Sequence, residues 1–96
     1  MNPHSSKPRS VRIVVQHVKD GPRWCYRLVA YEDRKTYPPV TFDTVRDVAQ
    51  AIRSVVPGFS ESELRKREED ADRSYIALTR EWELNDSELA QLGVKV

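Results

Sequence analysis

The amino-acid sequence predicts an α+β fold: a three-stranded, mainly antiparallel sheet packed on helices in two layers, in the order β-β-α-α-β-α. Three observations lead to it. Residues 11–31 are rich in β-branched and aromatic side chains and are broken once, at Lys19-Asp20-Gly21-Pro22, as a hairpin is. Residues 45–56 place apolar side chains at helical spacing, and residues 74–84 alternate apolar with polar. At 96 residues the chain is large enough for one modest core and too small to divide, so residues 11–96 are expected to form a single domain.

Residues 1–10 carry Pro3 and Pro8, three serines and no apolar stretch. They are expected to form a disordered N-terminal arm, since nothing in them can be buried to offset the entropy of ordering. The hairpin that follows has a testable register. A two-residue Asp20-Gly21 turn would need the amide of residue 22 as a donor, and Pro22 has none. The expected loop is therefore residues 19–22, closed by Val18 and Arg23. That register sets His17 opposite Trp24, Val15 opposite Tyr26, Ile13 opposite Leu28 and Val11 opposite Ala30 on one apolar face. The other face carries Arg12, Val14, Gln16 and Val18 against Val29, Arg27, Cys25 and Arg23, with Tyr31 beyond.

Residues 32–42 contain Tyr37-Pro38-Pro39, which cannot continue a central strand and read as a connection. Val45, Val48, Ala49 and Ile52 then mark the core helix, with Asp43 or Thr44 as its N-cap and Pro57-Gly58 as its stop. Ser60-Glu61-Ser62-Glu63 is a capping box flanked by Phe59 and Leu64 as a hydrophobic staple, so a second, surface helix is expected over residues 61–70. The third strand, residues 74–84, is expected to turn Ile76, Leu78, Trp82 and Leu84 inward, with Arg80 a charged exception among them. Asn85 to Glu88 offer another cap, and Leu89, Ala90 and Leu92 before Gly93 make a short terminal helix. The first and last helices would cover one sheet face.

Few chemistries survive this composition. Three glycines, at 21, 58 and 93, cannot build a Gly-rich phosphate cradle. Cys25 is the only cysteine, which excludes an internal disulfide and a zinc site of paired cysteines. The two histidines, His4 and His17, lie far apart in the expected fold, so no metal and no cofactor is expected. His17 has only Asp20 nearby to orient it, and reads as a packed ring beside Trp24 rather than a general base. Cys25, between Arg23 and Arg27, reads as a packed or merely exposed strand thiol, and Arg80 as a strand edge, a bulge or a residue stacked on Trp82. A pocket near His17, Trp24, Arg80 and Trp82 would lack a set of acid, base and nucleophile, so the chain is not expected to be an enzyme. No apolar run exceeds four residues against the roughly 20 of a membrane span. Residues 1–10 do not form a signal peptide, and the cytoplasm is the expected location.

The charge distribution carries more information than the net charge of +1. Residues 1–42 hold eight basic against three acidic side chains, and residues 43–96 hold eight against twelve. On the outer face of the hairpin Arg12, Arg23 and Arg27 sit among Val14, Val18, Val29 and Tyr31, and Arg12, Arg23, Arg27 and Tyr31 are the candidate binding residues. Cations among apolar side chains suit a protein surface, so the expected function is a small non-catalytic protein-interaction or regulatory module, with a second copy of the chain as one form of partner. The alternative is nucleic-acid binding through the basic hairpin and the N-terminal arm.

Overall fold

A computed structural model describes residues 7–65 and 73–96. The chain is an α+β domain with five strands where three were expected: β1 (Arg9–Asp20), β2 (Arg23–Glu32), β3 (Lys35–Thr36), β4 (Val40–Phe42), α1 (Val45–Arg53), a single 3₁₀ turn at Glu61–Glu63, β5 (Tyr75–Leu84) and α2 (Asp86–Gln91). All pairings are antiparallel, in the order β3-β2-β1-β5, with β4 also on the outer side of β2. The two added strands are short and lie in the segment read as a connection. Pro38 and Pro39 fall between them, on the sheet edge, where a missing amide leaves no ladder partner unsatisfied.

The hairpin closes more tightly than expected. Asp20 pairs with Arg23 and the turn is Gly21-Pro22 alone, which moves every pairing by two residues: His17 faces Tyr26, Val15 faces Leu28 and Ile13 faces Ala30. Gly21 has φ 61°, while proline holds its own φ at about −65°, and of the two tight hairpin turns only type II′ combines those signs. The donor this turn requires is the amide of Arg23, so the imino nitrogen of Pro22 costs nothing. A shift of two preserves the faces. Val11, Ile13, Val15, Leu28 and Ala30 are accordingly all buried on one side.

Both helices pack on that side. Val48, Ala49 and Ile52 of α1, Leu89 of α2, and Leu92 and Val94 beyond it join the hairpin residues and Leu84 in one core cluster. Thr44 is the N-cap of α1, its Oγ1 accepting from the Asp47 amide at 3.1 Å. Asn85 caps α2 reciprocally: its Oδ1 accepts from the Glu88 amide at 2.8 Å, and Glu88 accepts from the Asn85 amide at 3.0 Å. The helix then ends in a Schellman motif. Gly93 donates to the carbonyl of Ala90 and Val94 to that of Leu89, with Gly93 at φ 92°.

Three further expectations change. The second helix is only the 3₁₀ turn: the Ser60 and Glu63 capping box forms, but Leu64 is extended and buried, and the Arg65 amide donates to the carbonyl of Ala77. The rest of that expected helix, residues 66–70, lies outside the described residues. So do residues 1–6 of the expected arm, whereas Arg9 and Ser10 already belong to β1. Finally, β5 carries a bulge. Val15 pairs with Leu78 but Gln16 with Ile76, leaving Ala77 as an extra residue. Ala77 and Leu78 are both buried, while Ile76, expected to point inward, is turned to the other face and is 53% exposed.

Candidate functional site

Strand parity assigns the side chains of the second sheet face. From β1 come Arg12, Val14, Gln16 and Val18; from β2, Arg23, Cys25, Arg27, Val29 and Tyr31; from β5, Ile76, Thr79, Glu81 and Glu83. Val14, Val29 and Cys25 are buried but stand outside the cluster that includes the helices, so among the described residues no helix lies over this face. Long neighbours shield its centre. Val14 and Val29 are 9% and 8% exposed, beneath Arg12, Gln16, Arg27 and Tyr31. The apolar area expected from Val14 and Val29 is therefore largely closed, and Ile76 is the large apolar side chain left open there.

The face is concave toward the end that holds the β2–β3 turn. A groove of about 740 Å³ is lined there by Arg12, Gln16, Tyr31, Arg34, Ile76 and Glu81, among others. Arg12 and Tyr31 are direct cross-strand neighbours, and Arg12 also reaches Glu81 across β5 at 3.3 Å. Arg27 stands between Gln16 and Thr41 on the same face. Arg23 is at the distant turn, eight residues or roughly 26 Å along the strand from the level of Arg12. Arg12, Arg27 and Tyr31 thus share one surface, which Arg23 extends without reaching the groove.

Glu81, Glu83 and Ile76 were missed as members of this surface. The alternation of residues 74–84 set Glu81 and Glu83 outward, but only the pairing of β5 with β1 brings them beside Arg12. Arg80, by contrast, is on the helix side at the sheet edge, exposed and paired with Glu63 at 3.4 Å.

Two polar clusters lie on the helix side and serve the fold. His17 is buried, stacked on Trp24 at 4.7 Å and 6°, with Tyr26 and Tyr75 at 5.1 and 4.9 Å. Its Nδ1–H donates to the carbonyl of Arg73 at 3.0 Å. Burial, reinforced by a hydrogen bond with Tyr75, pushes the Tyr26 phenol up to about 12. At the other end Arg9 donates from Nε and Nη2 to Glu32 at 3.0 and 2.7 Å, and its Nη2 also meets Asp86 at 2.7 Å. Tyr37 completes the network by donating to Glu32 at 2.6 Å. The hydrogen bond from Arg9 holds the Glu32 carboxyl below its ordinary range and raises the guanidinium in turn. Among the described residues no three His, Cys, Asp or Glu side chains converge as metal ligands would, and no described helix is long and apolar enough to cross a membrane.

No protein-family model, curated protein or solved structure matches the chain.

Proposed function

We propose that the chain is a non-catalytic module that docks a protein partner on the open face of its sheet. The observation that carries this reading is Ile76. The bulge at Ala77 turns it out of the core onto a concave face that no described helix covers, and seats it beside the groove containing Tyr31, Arg12 and Glu81. An exposed large apolar side chain within a polar, charged rim is the arrangement of a protein-binding surface rather than of a nucleophile with its base. The test is site-specific photo-crosslinking in cells, with a benzophenone side chain at Ile76 and, as control, at the exposed Gln50 on α1. A protein adduct at 76 and none at 50 is expected. No adduct at 76, or the same adduct at both positions, refutes the reading.

Nucleic-acid binding is the second reading, favoured by Arg12 and Tyr31 standing side by side with Arg27 on the same face. It predicts a salt-dependent mobility shift with oligonucleotides that weakens in Arg12→Ala with Arg27→Ala. The engagement of Arg12 by Glu81 and the acidic border along β5 weigh against it.

A further inference from the structure

The hairpin ladder fixes which backbone groups of β5 face outward. Asp20 and Arg23 flank the two-residue turn and so form a hydrogen-bonded pair, and every second pair from there does the same, so the even residues of β1 bond to β2. The odd residues of β1 therefore bond to β5: Val15, Ile13, Val11 and Arg9 engage Leu78, Arg80, Trp82 and Leu84. The amides and carbonyls of Thr79, Glu81 and Glu83 point the other way. β5 is the last strand of the sheet, all three residues are exposed, and among the described residues no backbone group bonds to theirs. One rung back the edge is already in use. Following the extended Leu64, the Arg65 amide donates to the Ala77 carbonyl at 2.8 Å.

An unpaired ladder is a template for another strand, and its side chains decide which. A second copy of the chain fits poorly. Any antiparallel pairing of β5 with itself through two or more of these rungs sets Glu81 on Glu83, Glu81 on itself or Arg80 on itself, and like charges directly opposite destabilise a sheet. A basic strand fits. Glu81 and Glu83 stand on the open face, with Arg12 reaching Glu81 from the β1 side and Ser10 across from Glu83, so each carboxylate has an outer flank beside the unpaired rungs. On the helix side the same edge presents Trp82, half-buried with its ring edge-on to that of Phe59 at 5.9 Å.

We propose that β5 is a strand-addition site for an extended basic segment of a partner protein, taken up antiparallel with lysine or arginine opposite Glu81 and Glu83 and an apolar side chain opposite Trp82. The backbone ladder holds the segment, and the alternating side chains select it. This goes beyond the docking reading, since it rests on the β5 ladder and not on Ile76.

Amide hydrogen exchange followed by NMR tests it, with a capped heptapeptide of alternating lysine and valine as the probe. In the free chain the amides of Thr79, Glu81 and Glu83 exchange quickly, whereas those of Arg80 and Trp82, bonded to β1, are slow. Saturating peptide slows the first three by about tenfold or more. A peptide of alternating glutamate and valine binds about tenfold more weakly, and Glu81→Lys with Glu83→Lys reverses that preference, which loss of folding could not do. Methylating the lysine backbone nitrogens, which face β5, abolishes binding, while methylating the valine nitrogens, which face away, preserves it. Slow exchange at Thr79, Glu81 and Glu83 before peptide is added, absence of binding, or binding without their protection overturns the proposal. So does an unreversed charge preference or an equal effect of the two methylations.

Discussion

Arg9 is the residue whose removal tests the physical account of this fold most sharply. It begins β1, yet its guanidinium joins three elements: the end of β2 through Glu32, the segment after β3 through Tyr37, and the first turn of α2 through Asp86. Arg9→Met keeps the aliphatic stem and deletes the charge. The Glu32 and Asp86 side chains, only 20% and 13% exposed, then both lose that guanidinium. An exposed ion pair contributes up to about 1 kcal/mol, and stripping one partner from a fully buried pair costs roughly 3–5 kcal/mol. This network is intermediate in burial, and two carboxylates lose the same partner at once, so a loss of about 2–3 kcal/mol is expected. For a domain of this size that corresponds to a fall in melting temperature of roughly 10–20 °C.

Denaturant titration followed by fluorescence of Trp24 and Trp82 measures the loss, and pH supplies an independent check. Because Arg9 holds the Glu32 carboxyl below its ordinary value, the folded chain binds fewer protons there than the unfolded chain does. Its contribution is fully present above the ordinary carboxylate range and is lost as pH falls through the lowered folded value. Wild-type stability should therefore decline on acidification more steeply than that of Arg9→Met. If Arg9→Met lies within about 0.5 kcal/mol of wild type with an unchanged acid slope, the network is a surface feature and the reasoning fails.

Other expectations follow from particular contacts. Ile76→Thr should leave stability within about 0.5 kcal/mol, because the side chain is exposed, whereas Leu78→Ala should cost roughly 2–5 kcal/mol; comparable losses at both sites would deny the bulge. Gly93→Ala meets an unfavourable φ of 92° and brings a Cβ within 3.1 Å of Val40 Cγ1, so a loss of more than about 1 kcal/mol is expected in thermal unfolding. Burial and the Tyr75 hydrogen bond favour the neutral Tyr26 phenol in the folded state. That stability is complete below the ordinary phenol range and disappears as pH rises toward about 12. Tyr26→Phe should flatten this alkaline decline, as read by denaturation at graded pH.

Strand parity made much of this fold legible, and it explains what stayed hidden. The hairpin's faces were correct despite a register wrong by two, because only an odd shift exchanges them. Capping chemistry located the starts of α1, the 3₁₀ turn and α2, each from a side chain satisfying an amide three residues on or nearer. Arg9 was assigned to the arm, though it shares the parity of Val11 and Ile13, and Glu32 shares that of Leu28 and Ala30. Extending both alternations one step would have put opposite charges at the same end of the covered face. The short strands around Pro38 and Pro39 bury little and carry no alternation long enough to read.

The bulge was illegible for a different reason, and the proposed docking face depends on it. Ile76, Ala77 and Leu78 are all apolar, so alternation is silent about where the extra residue lies. Moving it by one position exchanges which of Ile76 and Ala77 is buried. The segment just after the 3₁₀ turn bears on the choice: the Arg65 amide bonds to the carbonyl of Ala77, and the Ala77 side chain is buried in the cluster that also holds Leu64 and Phe59. The exposure of Ile76 is thus a consequence of packing on the opposite face, and the acidic column of Glu81 and Glu83 reaches Arg12 only because β5 pairs with β1 rather than with β2. Strand order, which the sequence pattern leaves open, is what turns a basic hairpin into a face with two signs of charge.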